Sequence, residues 1–227
     1  METRASEPLV EVRGLTVRYA PGQPPILEGL DLTLRRGETV ALMGPSGSGK
    51  STLLVHLVGL RPPEGGEVHI QGRALSTLRP RELEQLRAMT IGFVFQRAAL
   101  LPFLTVQENL LLALEPLPEE ARGTSRARLE LLLEAMQLGP LAHRRADVLS
   151  VGEAQRVAVA RALIKQPPLV IADEPTGALD AANAAVVGEL LLAPEENRSR
   201  AVLVATHDER VAARCDRVLK LQEGRCC

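Results

Sequence analysis

The 227 residues leave room for one sizeable core, or for one core with an inserted lobe. Lys and Arg total 27 against 28 for Asp and Glu, and the basic residues do not gather in one run, so no bulk field draws nucleic acid. No apolar run approaches the ~20 residues that cross a bilayer, and the start of the chain lacks a basic-then-apolar leader. Cys215, Cys226 and Cys227 are an odd set at one end rather than a disulfide framework, and no catalytic or metal role is expected of them. These features predict a cytosolic protein that meets a membrane only through another chain.

Residues 9–20 alternate as a strand closed by Tyr19, before Pro21, Gly22, Pro24 and Pro25 turn the chain. Residues 30–34 alternate again, giving an antiparallel β-layer. Tyr19 either packs half-buried at the strand end or offers its ring to a nucleobase. Residues 39–43 form a short apolar run typical of a buried parallel strand. Gly44, Pro45, Ser46, Gly47, Ser48, Gly49, Lys50, Ser51 and Thr52 follow, and Gly44 to Ser51 fit the phosphate-binding pattern GxxxxGK[ST]. The glycines let the backbone close round a polyphosphate and aim N–H groups at it, and a helix starting near Lys50 adds the positive end of its dipole. In this pattern Lys50 holds the β- and γ-phosphates and Ser51 ligates Mg²⁺.

Pro62 and Pro63 turn the chain into a strand at 67–70, and 80–89 is a helix with one apolar and one charged face. Gln96 ends a strand at 91–95, on the edge where a sheet with a phosphate loop places its ligands. It either reaches Mg²⁺ or the attacking water, or is an ordinary surface glutamine. The strand–helix alternation stops over 100–139: 104–114, capped by Thr105, and 125–138 are helical, joined by an exposed loop at 115–123. Consecutive helices there predict an inserted lobe. Ser150 caps the helix running to Lys165, either leaving the first N–H groups for an anion or simply ending a surface helix. Residues 169–172 are a buried strand ending in Asp173 and Glu174, and adjacent carboxylates at the rim of a core need partners or a task. Asp173 suits the support of Mg²⁺ and Glu174 the polarising of water. A helix at 181–192, a polar loop at 194–200 and a buried strand at 201–205 lead to His207. Alone, such a histidine is a surface or packing residue. A strand at 218–221, a turn at Glu223 and Gly224 and a short tail complete the chain.

With the phosphate loop, Gln96, Leu149-Ser150-Val151-Gly152-Glu153, Asp173-Glu174, Ala178-Leu179-Asp180 and His207 in this order, the chain resembles the ATP-binding-cassette ATPases from Tyr19 to about Gly224. The resemblance implies one α/β domain: a phosphate-loop NTPase core (about 1–96 and 160–227) with a mostly parallel sheet, an N-terminal antiparallel β-layer and an inserted helical lobe (about 97–159). It implies ATP and Mg²⁺, and two copies closing head to tail over two nucleotides. Tyr19 would lie on the adenine, Gly44 to Thr52 on the phosphates, and Ser51 and Gln96 on Mg²⁺ with Asp173 in support. Glu174 would be the general base and His207 a γ-phosphate contact. Ser150 and Gly152 would complete the opposite subunit's site, and Asp180 would couple the two. A membrane permease would dock on the lobe between Gln96 and Thr105, leaving the protein peripheral on the cytoplasmic face of the membrane, with no nucleic-acid partner.

One departure stands out. The family carries glycine at the position of Val151, and valine resists φ > 0, so its side chain is expected to crowd the partner's nucleotide. Leu100-Leu101-Pro102, Leu104-Thr105-Val106, Glu108-Asn109-Leu110 and Asp173-Glu174-Pro175-Thr176-Gly177 are similar to the branch serving lipoprotein release, macrolide export and the cell-division complex. The leading expectation is ATP hydrolysis that powers a separate permease. The second is the same chemistry driving a conformational signal without cargo.

Overall fold

The computed structural model describes residues 8–20, 22–193 and 200–226. Pro21 in the expected first turn, residues 194–199 of the expected polar loop and Cys227 lie outside the described residues. In chain order the strands are β1 (Pro8–Val17), β2 (Leu27–Arg35), β3 (Thr39–Met43), β4 (Gly65–Ile70), β5 (Arg73–Ala74), β6 (Ile91–Val94), β7 (Leu169–Asp173), β8 (Ala201–Ala205), β9 (Arg217–Gln222) and β10 (Arg225–Cys226). The helices are α1 (Lys50–Leu57), α2 (Pro80–Thr90), α3 (Val106–Leu112), α4 (Glu119–Arg126), α5 (Leu129–Ala135), α6 (Val151–Leu163), α7 (Ala181–Leu192) and α8 (Glu209–Ala212). They divide between two compact units, one within Met1–Glu84 and Pro194–Cys227, the other Gln85–Ala193.

The first unit holds two sheets' worth of strands. β2, β1, β4 and β5 form an antiparallel layer in that order. Leu27, Leu30, Leu32 and Leu34 of β2 are buried while Asp31 and Thr33 face out, the period-two pattern of a sheet covered on one side. β3 lies between β8 and β9, parallel to both, with Ala41 opposite Val204 and Val218. β8 is buried at every residue, as a parallel strand covered on both faces must be. β9 turns back through Glu223 and Gly224, both at positive φ, into the antiparallel β10, where the sequence suggests only a tail. β1 stops at Val17, whose partner is Leu27, so Tyr19 lies beyond the strand instead of closing it. Just past the ladder the Arg18 guanidinium pairs with Glu64 at 2.6 Å.

In the second unit β6 and β7 run parallel, with Val94 opposite Ala172. α3 opens with a capping box: Thr105 Oγ1 accepts from the Glu108 N–H, and the Glu108 carboxylate accepts from the Thr105 N–H at 2.8 Å. The expected loop at 115–123 and helix at 125–138 need correction: α4 begins at Glu119, and α5 is a separate helix ending before Met136. Pro118 fixes the entry to α4, Glu119 and Glu120 face its positive end, and the Arg122 guanidinium holds the Glu115 and Leu117 carbonyls behind it. The polar run that reads as loop is therefore a helix start. α6 is buried nearly all round, which its Ala and Val content permits.

Candidate functional site

The phosphate loop fills the six residues between β3 and α1. Gly44 is there because nothing larger fits: a Cβ would lie 2.4 Å from the Leu221 carbonyl oxygen and 2.8 Å from Ser48 Oγ. Gly49 caps α1 at φ 100° and supplies no side chain, whereas α3, α6, α7 and α8 have side-chain caps from Thr105, Ser150, Asp180 and Asp208. The first N–H groups of α1 are thus left for an external acceptor. Lys50 Nζ donates to the carbonyls of Gly44 at 2.8 Å and Pro45 at 3.1 Å, which puts the ammonium charge over the loop. Ser48 Oγ is buried with no hydrogen-bond partner among the described residues, and Ser51 is exposed at the helix start. A ring of N–H donors, a cation and an unsatisfied hydroxyl together fit a polyphosphate.

Beside the loop lies a cavity of about 500 Å³ lined by Tyr19, Ser51, Thr52, His56 and Arg61 among others. The Tyr19 hydroxyl meets Thr52 Oγ1 at 3.2 Å, and with 71% of the residue exposed its ring presents an open face. His56, buried on α1, holds the Thr52 carbonyl through Nδ1 at 2.7 Å. His207 belongs to the same unit: the Thr206 N–H continues the β8 ladder onto the Leu42 carbonyl, so His207 leaves β8 at the end where the loop leaves β3. Asp208 next to it caps α8 and pairs with Arg210, whose hydrogen bond holds that carboxyl below the usual range.

In the second unit Gln96 and the Asp173-Glu174 pair leave the adjacent parallel strands β6 and β7 at the same end. Gln96 is exposed, two residues past β6, and Asp173 is 7% exposed. Glu174 has φ 47°, a left-handed backbone uncommon for a glutamate, of the kind that concentrates at working sites. Within this unit an amide oxygen from Gln96 and a carboxylate from Asp173 are hard donors of the kind that Mg²⁺ takes.

The Leu149 to Glu153 stretch is also in this unit, with Ser150 as the cap of α6. The Ser150 backbone N–H and then its Oγ–H both donate to the Glu153 carboxylate at 2.8 Å and hold that carboxyl below its ordinary value, while Ser150 Oγ accepts from the Glu153 N–H. The strain expected at Val151 is absent: it is the first residue of α6, at helical φ, with 72% of its surface exposed. The structure brings this stretch against the 178–180 turn, since a Cβ on Gly152 would lie 3.4 Å from Leu179. Asp180 caps α7, its carboxylate accepting from the Asn183 backbone and side chain at 2.8 Å.

The sequence reading passed over the side chains that hold the segment after Gln96. Asn109, fully buried, takes the Leu101 N–H and donates to the Leu101, Leu104 and Thr105 carbonyls. Arg161 donates to the Ala98 and Ala99 carbonyls. The signal was one guanidinium inside the apolar run 157–164, where a charge needs carbonyl partners.

Among the described residues no helix is long and apolar enough to cross a membrane. The family model for the ABC transporter matches residues 27–177. The "Lipoprotein-releasing system ATP-binding protein LolD" of Anaeromyxobacter dehalogenans is 44% identical, covering 99% of this chain and 95% of that protein. The protein of the same name from Xylella fastidiosa is 41% identical over 96% of this chain and 91% of its own. A solved ATP-binding cassette, dimeric in a post-hydrolysis state with ADP and Pi, superposes with a TM-score of 0.87 at 37% identity, covering 96% of each chain. With likeness running through both units, and a loop built to take a polyphosphate, the chain belongs to the ABC transporter family, as an ATP-binding subunit that hydrolyses ATP.

Proposed function

We propose that this chain is the motor of a membrane complex that releases lipoproteins. Two copies close head to tail over two ATP molecules and pass the motion to a separate permease. The observation that carries this reading is similarity over nearly the whole chain, at 41–44% identity, to lipoprotein-releasing ATP-binding proteins.

In this reading the nucleotide core is about 1–96 and 160–227, and the helical lobe about 97–159. Tyr19 stacks on the adenine, while Gly44 to Thr52 wrap the phosphates and Lys50 neutralises the β- and γ-oxygens. Ser51 and Gln96 would hold Mg²⁺, with Asp173 in support, and the ion when bound would supply positive charge beside the phosphate oxygens. Glu174 takes a proton from the water as its oxygen attacks the γ-phosphorus, and ADP leaves with its β-oxygen bearing the electron pair. His207 donates to the γ-phosphate. Ser150 and Gly152, within Leu149 to Glu153, complete the partner copy's site from the N-terminus of α6. Asp180, beside them in the 178–180 turn, couples the two sites.

The permease seats between Gln96 and Thr105. There Asn109 fixes the turn and Phe103, 63% exposed, offers an apolar contact. Docking of this kind holds the protein on the cytoplasmic face of the membrane. The test is reconstitution: the chain is copurified with its permease from detergent-solubilised membranes and placed in vesicles carrying a lipoprotein. ATP-dependent release of the lipoprotein is the expected result. Permease-stimulated ATP turnover with no lipoprotein released would contradict the cargo and favour a conformational signal.

A further inference from the structure

Three side chains of α6 reach backbone carbonyls elsewhere in the second unit. Arg156 holds Met136 at 2.7 Å, just past the end of α5. The other two flank Gln96. Gln155 Nε2 donates to the Phe95 carbonyl at 3.3 Å, and Arg161 donates to the Ala98 carbonyl at 2.9 Å and the Ala99 carbonyl at 2.8 Å. Gln155 and Arg161 are separated by ~9 Å along the helix axis. Residues 95–99 are therefore strapped along α6, with Gln96 between the two fastenings.

The Arg161 fastening does more than fix a position. Ala99 has φ 47°, a left-handed conformation that is strained for an alanine and persists where its surroundings over-determine it. Its φ is set by the peptide carrying the Ala98 carbonyl and its ψ by the peptide carrying its own. The guanidinium fork grips both, so it fixes the orientation of each peptide plane across the strained residue. A planar fork does this, whereas an ammonium offers one point charge.

We propose that Arg161 is a positioning residue for Gln96: by locking the 95–99 turn in its strained shape, it presents the Gln96 side chain to Mg²⁺ in one register. The proposal rests on the reading of Gln96 as an Mg²⁺ ligand.

The experiment measures ATP binding to the full chain by equilibrium dialysis across a range of Mg²⁺ concentrations, in a Glu174→Gln background so that nucleotide is not consumed. Removing a group that orients a metal ligand costs ~10–100-fold in metal affinity. Arg161→Gln is expected to raise the Mg²⁺ requirement by about tenfold and leave Mg²⁺-free ATP binding unchanged. Gln96→Ala shifts the requirement the same way, and the double variant is no worse than Gln96→Ala alone, because the two act as a unit. Arg161→Lys, which keeps the charge but loses the fork, gives an intermediate shift and serves where Arg161→Gln does not fold. Lys165→Met removes another half-buried cation, one bound to the Arg87 and Ala88 carbonyls, and should leave the Mg²⁺ requirement alone. A native requirement in both Arg161 variants, beside a shifted one in Gln96→Ala, overturns the positioning role and spares the reading of Gln96. A native requirement in Gln96→Ala overturns both. Additive losses in the double variant also overturn it, since Arg161 would then act elsewhere.

Discussion

Gly44→Ala tests how the phosphate loop is built. The new Cβ would lie 2.4 Å from the Leu221 carbonyl oxygen, and real Cβ contacts are essentially never under 3.0 Å. Leu221 cannot yield easily, being fully buried in β9, which is laddered to β3 through Leu42 opposite Leu219 and Met43 opposite Lys220. Moving from 2.4 to 3.0 Å requires the loop to shift by about 0.6 Å, the difference of the two distances. A misplacement of ~1 Å costs up to ~100-fold, so ATP binding should weaken by roughly 10–100-fold, or about 1.4–2.7 kcal/mol. Gly47→Asn is the comparison: Gly47 has φ 81° with nothing within 4 Å of a Cβ, and asparagine tolerates that backbone, so its loss should stay under about fivefold. The chain has one Tyr and no Trp, so its ultraviolet emission reports Tyr19 alone and gives a titration signal beside equilibrium dialysis. Gly44→Ala that melts as a folded protein and binds ATP with native affinity would refute the argument.

Asn109→Leu strips the buried turn at 101–105 of four hydrogen bonds and should destabilise the fold by about 2–3 kcal/mol, lowering Tm by roughly 4–12 °C; a native melt contradicts it. Burial pushes Lys165 down to about 8 from 10.5, so between those values the unfolded chain holds more protons and stability rises with pH. The Tm of wild type minus that of Lys165→Met should therefore rise from pH 8 to pH 10.5, and a flat difference argues against it. Val151→Gly removes an exposed side chain beside Ser150. It should cost at most about 1 kcal/mol of stability and increase ATP-dependent dimer in light scattering, and unchanged association would show that the isopropyl group does not obstruct.

The sequence was most legible where several requirements coincide in a few residues. The 39–52 stretch declares a buried strand, a close-packed loop and a helix start at once, and β3 and α1 begin where that pattern places them. The cap at Ser150 was legible from its residue type before a helical run, while its capping box with Glu153 is seen only in the structure. Short elements were not: β5, β10 and α8 are too brief for periodicity to show. Pro118 and two glutamates read equally as loop and as helix start, and the order of the chain does not choose between them. Long-range polar contacts were least visible. That Arg161 meets Ala98 and Ala99, across 63 and 62 positions, follows only from the packing of α6 along the segment after β6.

The central claim is that Glu174 activates the water that cleaves ATP, and it is most directly tested by steady-state phosphate release from Glu174→Gln beside ATP binding by the same protein. Loss of a positioned base predicts turnover reduced by ~10²–10⁴-fold with ATP still bound. Phosphate release at the native rate would contradict it.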